Sequence, residues 1–341
     1  MKMKSVKVED AVGMVLAHDL TKVVPGTFKG AAFKKGHIIR EEDIEELKNM
    51  GKNHIFAVSL NESEVHENEA ARRIAEAASS GEIYAAEALE GKSNMRAAKY
   101  GLLKVNIKAM EELNQIGKIA LVSLHNNTLV KKDQIVAAAK IIPLTAERED
   151  IEKAEQICRQ HAPVIDIKPL YCMKTGIIVT GSEVYYGRIR DKFGGLLQEK
   201  VRYYGGEPLD ILYAPDDSEH IYRLILESIE KGAEIVLISG GMAVDADDVS
   251  PKAIRDAASE IITYGLPLLP GAMCMVAYRH QVPIVGIPAC AMYHKTTVLD
   301  IIFPRLLTKD KWTRKDLVSL AHGGICLQCE TCHYPVCPFG K

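Results

Sequence analysis

Two stretches of this 341-residue sequence concentrate side chains able to do chemistry. The first is "SGGMAVDADD", where an apolar run ends at Ser239 and is followed by Gly240, Gly241 and the carboxylates of Asp245, Asp247 and Asp248. Glycines let a backbone turn tightly and offer N–H groups at close range to an anionic oxygen. Carboxylates in the same loop repel a bare phosphate, so the combination suits a divalent cation or a protonated heterocycle held beside one. Mg²⁺ is the expected cation, since it takes one or two carboxylates and fills its shell with phosphate oxygens and water. The second stretch is "CLQCETCHYPVCP", with Cys326, Cys329, Cys332 and Cys337 separated by two, two and four residues. Four thiolates so spaced suit one tetrahedral ion or an iron–sulfur cluster. The evenly spaced cysteines and the Cys337-Pro338 ending tilt the expectation toward an Fe–S cluster over Zn²⁺, with His333 as a further nitrogen ligand.

The elements that must position these loops are legible from Lys174 onward, where strand and helix patterns alternate. "GIIVTG", "EPLDILYAP", "AEIVLISGG" and "PIVGIP" read as strands. Between and after them, "DKFGGLLQEKVRYYGG", "DSEHIYRLILESIEKG", "SPKAIRDAASE" and "AMYHKTTVLDIIFPRLL" read as helices. Asp217 or Ser218 is a natural cap for the second helix; the third has Ser250 as cap and Pro251 in its first turn. Wholly apolar strands alternating with helices imply an α/β fold: a three-layer α/β/α arrangement around a mostly parallel sheet. Ligands of such sheets bind beyond the carboxyl ends of the strands. That places "TGSE" (Thr180 to Glu183), the Ser239–Asp248 loop and "GIPACA" (Gly286 to Ala291) at one edge.

Upstream the texture differs. Residues 1–60 carry short β-like runs and a helix closed by Gly51, a β-rich N-terminal segment. Residues 61–170, rich in Ala, Glu and Lys, read as an α+β middle region, residues 171–310 as the α/β domain and residues 311–341 as a Cys-rich metal-binding tail. A formal net charge of -2 offers no field for nucleic acid. The sequence contains no run of about 18 apolar residues, so no membrane partner is expected. A first segment without a signal-peptide core, and cysteines crowded in one cluster, point to reduced thiols and a cytoplasmic location. An EF-hand counted from Asp245 fails, with Ser250 at its sixth position and Asp256 at its twelfth. No P-loop lysine follows the glycines and no GxGxxG opens the domain. His18, His37, His54 and His66 lie in separate elements without ligand spacing, and Trp312 is placed to pack the tail against the domain.

Taken in order, "TGSE", Asp216-Asp217, "SGGMAVDADD", "PGAM" (Pro270 to Met273) and "GIPACA" resemble the molybdopterin-binding domain of molybdenum cofactor biosynthesis proteins. "VEDAVGMVLAHDL" and the β-rich segment after it are similar to the start of molybdopterin molybdenumtransferases, the insertase branch that includes the gephyrin E domain. The resemblance implies a molybdopterin-binding fold and catalytic acids at Glu183, Asp248 and Asp217, or its neighbour Asp216. Thr180, Gly181, Ser182, Ser239, Gly240, Gly241, Asp245, Pro270, Gly271 and Pro288 would bind the ligand. It implies molybdopterin or its adenylated form as substrate, molybdate as metal source, Mg²⁺ at the acids, a homodimer, and a molybdoenzyme as recipient. The chain departs from the family at Ala243, where a serine is usual, at Asp245, where a glycine is usual, and at Pro288-Ala289-Cys290-Ala291, which replaces a PGNP-like loop. A non-catalytic molybdopterin carrier or sensor therefore stands beside the insertase, with an adenylyltransferase as a third reading.

Overall fold

In a computed structural model, which describes residues 4–24, 27–243 and 248–340, the chain divides into two compact units, 1–167 and 168–341. The first contains a small N-terminal core and a larger one, with Val15, Val58 and Leu144 forming a further cluster. Val8, Leu16, Leu47 and Ile55 gather the short strands Lys4–Lys7, Val15–Leu16 and His54–Val58 with the helix Asp43–Asn49. Gly51, at φ +75°, follows that helix in the left-handed region that a terminating glycine serves. The second core lies under an antiparallel sheet whose strands Ile119–Ser123, Ile135–Ile141, Lys92–Ala97 and Ile83–Ala85 are neighbours in that order. The helices Glu67–Ala78 and Arg148–Gln160 cover it, burying Ala71, Ile74, Ile151 and Ala154.

The second unit is organised by six strands, the central ones buried on both faces. Labelled within this unit, they are β1 (Lys174–Thr180), β2 (Glu207–Ala214), β3 (Ile235–Ser239), β4 (Glu260–Tyr264), β5 (Met275–Arg279) and β6 (Val282–Ile287). Their order in the sheet is β2-β1-β3-β6-β5-β4. The first four in that order run parallel, and β5 and β4 extend them antiparallel. Every residue of β3 is buried, which is why its sequence shows no polar alternation. The helices are α1 (Ser182–Tyr185), α2 (Phe193–Tyr203), α3 (Ser218–Glu230), α4 (Ser250–Ala257), α5 (Val298–Leu306) and α6 (Arg314–Ser319). Ile221 and Ile225 of α3 and Ala253 and Ile254 of α4 close over Ile178, Val236, Ile238 and Ile284. A separate layer joins α2 to α5. Tyr204, just past α2, packs its ring 6.1 Å from that of Phe303, and Lys200 pairs with the buried Asp300 at 2.6 Å. The result is the expected three-layer α/β/α fold.

Three boundaries differ from the sequence reading. Ser250 is the first residue of α4 rather than its cap; its hydroxyl instead donates to the Gly240 carbonyl at 2.9 Å. The last helix does not run on from Ala291: a 3-10 turn, Ala289–Met292, ends, and α5 starts afresh behind a Thr297/Asp300 capping box. The antiparallel strands β4 and β5 are additions to the elements expected from sequence. Trp312 is buried as expected, its Nε1 donating to the Ile302 carbonyl at 3.3 Å with the Arg305 guanidinium 4.1 Å from the ring. Among the described residues no helix is long and apolar enough to cross a membrane.

Candidate functional site at the carboxyl edge of the sheet

β1 and β3 are parallel neighbours, so their last residues emerge side by side, Val179 opposite Ser239. The two loops that follow are stitched together. Thr180 Oγ1 donates to the Ser239 carbonyl at 3.0 Å and lies 3.3 Å from Ser250 Oγ, which in turn holds the Gly240 carbonyl. Gly240 has φ +91°, and a Cβ there would stand 2.5 Å from the Thr180 carbonyl oxygen, a backbone atom that cannot swing away. Gly241, at φ +54°, would bring a Cβ to 2.9 Å from Ser250 Oγ. Gly240 therefore requires glycine for space as well as for dihedral angle, whereas a Cβ at Gly241 would displace the Ser250 hydroxyl.

Around this crossing, Ser182 and Asp216 form a reciprocal latch. The Ser182 N–H donates to Asp216 Oδ2 at 2.8 Å, and the Asp216 N–H donates to Ser182 Oγ at 3.2 Å. The latch ties the start of α1 to the end of β2 and fixes Glu183, whose carboxylate folds over Gly181, within 3.1 to 3.3 Å of where a Cβ would be. Asp217, one residue on, serves the helix instead. Its Oδ1 accepts the His220 N–H at 2.6 Å and caps α3. Of the two adjacent aspartates it is Asp216 that touches the "TGSE" loop.

The wall on the β4 side has no counterpart in the sequence reading. The Tyr264 hydroxyl donates to the carbonyls of Met242 and Ala243 at 2.9 and 3.1 Å, pinning the stretch of chain that leads out of the glycines. Burial pushes the phenol above its usual range and Asp248 adds to the rise, while the Arg255 guanidinium, 5.5 Å from the ring centre, opposes it. Asp245 lies outside the described residues. The Ser239 hydroxyl is buried with no hydrogen-bond partner among the described residues, an unmet polar group at the carboxyl end of the central strand. Pro288 follows β6 beside Ser239, because Ile287 pairs with that serine. Ala289 sits in a 3-10 turn, so the alanine replacing the family's glycine meets no left-handed requirement. Cys290 in that turn is half-buried, and burial raises its thiol pKa. Gly271, at φ +123°, lets the loop of Pro270 lie against α5, since a Cβ would be 2.7 Å from that of Val298.

The structure thus brings together Thr180, Gly181, Ser182, Glu183, Ser239, Gly240 and Gly241, joins Asp216 rather than its neighbour Asp217 to them, adds Ser250 and Tyr264, and leaves Asp217 as a cap. Chemically this is a backbone cradle between two glycine turns with carboxylates at its rim. The four tail cysteines form no disulfide among the described residues. They line one cavity of about 280 Å³ together with Thr296, whose hydroxyl is 3.2 Å from Cys332 Sγ and lowers that thiol's pKa.

Residues 176–308 match the family described as "Probable molybdopterin binding domain". This region is a molybdopterin-binding domain. Residues 5–59 match a second family, described as a domain of unknown function (DUF8806). A CinA-like protein of Petrotoga mobilis is 33% identical over 92 residues, covering 27% of this chain and 23% of that protein. One of Syntrophus aciditrophicus is 31% identical over 96 residues, covering 28% and 21%. The chain thus spans about a fifth to a quarter of the length of the curated relatives it matches. Among solved structures, the tungsten cofactor synthesizing protein MoaB from Pyrococcus furiosus aligns with TM-score 0.34 and 21% identity over 39% of this chain and 92% of that one.

Proposed function

We propose that the molybdopterin-binding domain holds molybdopterin, or its adenylated form, at the β1–β3 crossing and serves in molybdenum cofactor biosynthesis by promoting insertion of molybdenum from molybdate. The observation that carries the proposal is the Ser182–Asp216 latch, which fixes the Glu183 carboxylate at the rim of a glycine cradle. In this reading the backbone N–H groups around Gly240 and Gly241 hold the pterin's phosphate. The two dithiolene sulfurs bond to molybdenum as one oxygen leaves, and the two thiol protons go to that oxygen as water. Glu183 and Asp248 orient the oxyanion and hold those protons, so the protein acts by positioning and charge management.

Mg²⁺ fits the donor set. It takes one or two carboxylates with water and phosphate oxygens, and Glu183 and the second oxygen of Asp216 are of that kind. When bound it would neutralise phosphate charge beside the acids. Asp217 is not part of the set in this reading, because its carboxylate caps α3.

A second reading, a molybdopterin carrier or sensor, is favoured by the 3-10 turn at Ala289–Met292 in place of the PGNP-like loop. Molybdate-dependent activation of an apo-molybdoenzyme, with adenylated molybdopterin supplied, separates the two. An insertase activates it and loses that activity on Asp248→Asn or Glu183→Gln. Pterin binding without activation leaves the carrier.

A further inference from the structure

The C-terminal segment carries chemistry that the pterin site does not use. We propose that Cys326, Cys329, Cys332 and Cys337 hold a 4Fe–4S cluster, and that the cluster fixes the two loops, at Pro270 and after Pro288, that flank the carboxyl edge of the sheet.

All four cysteines line one cavity of about 280 Å³. Among the described residues no group of three His, Cys, Asp or Glu side chains is set to hold a single ion. A zinc ion with Zn–S bonds of about 2.3 Å would need its sulfurs drawn to roughly 3.8 Å from one another. A cluster places iron and inorganic sulfide in the middle and accepts thiolates set farther apart, one per iron. The wall also suits thiolate ligands. Thr296 presents its hydroxyl to Cys332 Sγ at 3.2 Å, and Lys295 adds a positive charge beside a dianionic or more negative centre.

The segment is tied to fixed parts of the fold. The Leu269 N–H donates to the Gly324 carbonyl and the Cys326 N–H to the Leu269 carbonyl, both at 2.8 Å, so the first cysteine is hydrogen-bonded to the residue before Pro270. At the other end, the Tyr334 hydroxyl donates to the Asp300 carbonyl at 3.0 Å. That carbonyl lacks its helical partner because the residue four positions on is Pro304, which has no N–H. Tyr334 fills the gap that the proline leaves in α5. Phe339 is buried, and Gly340 packs against Ile301. Thr296 and Lys295 belong to the chain that follows the Pro288 turn. The cysteines are therefore held between the Pro270 loop, the Pro288 loop and the start of α5, and a cluster bonded to all four cross-links those pieces.

The test uses the full chain, expressed and purified without oxygen. About four iron and four acid-labile sulfides per chain are expected, with broad visible absorption that reduction bleaches. Both are lost in Cys332→Ser. Hydrogen exchange at residues 267–273 and 288–297 should be slower in loaded protein than in protein stripped by chelator. Thr296→Val retains all four thiols and should keep the iron while lowering the cluster's reduction potential, a shift that a merely structural tail would not show. Stoichiometric zinc without sulfide, or a natively folded chain that holds no metal, overturns the cluster. Loaded protein whose loops exchange as fast as stripped protein overturns the coupling. None of these readouts uses pterin, so a failure of molybdopterin binding is distinguishable from a failure here.

Discussion

Replacing Asp216 and Asp217 in turn separates a ligand-site acid from a structural one across a single peptide bond. Asp216 accepts the Ser182 N–H at 2.8 Å as a carboxylate. Hydrogen bonds to charged groups contribute about 1.5–3 kcal/mol and neutral ones about 1 kcal/mol, so Asp216→Asn weakens the latch by roughly 1 kcal/mol. With about 1.4 kcal/mol per tenfold change, molybdopterin affinity should fall about fivefold to tenfold, because binding must then order the Glu183 loop. Asp217 makes a 2.6 Å bond to the His220 N–H as the cap of α3. Asparagine caps a helix as well as aspartate, so Asp217→Asn should change neither affinity nor stability measurably. Asp217→Ala should cost about 1 kcal/mol, a fall in Tm of roughly 2–4 °C for a unit of this size, with affinity unchanged. Isothermal titration with molybdopterin and scanning calorimetry on the same preparations measure both quantities. The assignment is refuted if Asp217→Asn weakens binding while Asp216→Asn leaves it intact.

Other perturbations probe other parts of the molecule. Gly240→Ala and Gly232→Ala change residues that share φ +91°, but only at Gly240 would the new Cβ meet a backbone oxygen, at 2.5 Å. Both should lose the roughly 1–2 kcal/mol of a left-handed alanine; Gly240→Ala should lose more and abolish pterin binding, as calorimetry and titration would show. Tyr334→Phe leaves the Asp300 carbonyl unpaired in α5 and should cost about 1–3 kcal/mol in urea unfolding, whereas an unchanged midpoint would mean that water replaces the phenol. In the first unit, burial holds His66 below its ordinary value of 6.5, opposed by its bond to the Gly36 carbonyl. A depressed histidine leaves the unfolded chain binding more protons, so its stability contribution is intact above pH 6.5 and is lost as pH falls below that value. The difference in stability between wild type and His66→Asn should therefore change below pH 6.5 and be flat above it, and a flat difference throughout would refute the shift.

The parallel half of the second unit was legible because β1, β3 and β6 are buried on both faces and so are written as unbroken apolar runs. The antiparallel edge was not. β4 runs Glu260, Ile261, Ile262 and Thr263 with mixed exposure and no alternation, and β5 begins only four residues after Gly271, so neither stands out from the loops around it. The cradle's glycines and Glu183 could be read from motif order, since each loop follows a recognisable strand. Tyr264 could not, because its role depends on β4 folding back beside the chain that leaves Gly241. Ser250 has the type of a helix cap and the place for one, immediately before Pro251. The contest between capping α4 and holding the Gly240 carbonyl is settled by tertiary geometry, which a single sequence does not display. In the tail, spacing announced the cysteines, but the partnership of Tyr334 with the carbonyl exposed by Pro304 required the two segments to meet in space.

The central claim is that the crossing of the β1 and β3 loops binds a phosphorylated pterin. Equilibrium titration of molybdopterin into the anaerobically purified full chain, with wild type beside Glu183→Gln and Asp216→Asn, tests it most directly. Saturable one-site binding to wild type is expected, weakened by both substitutions without unfolding of the protein. A natively folded wild type that binds no molybdopterin, or one whose binding neither substitution alters, would contradict it.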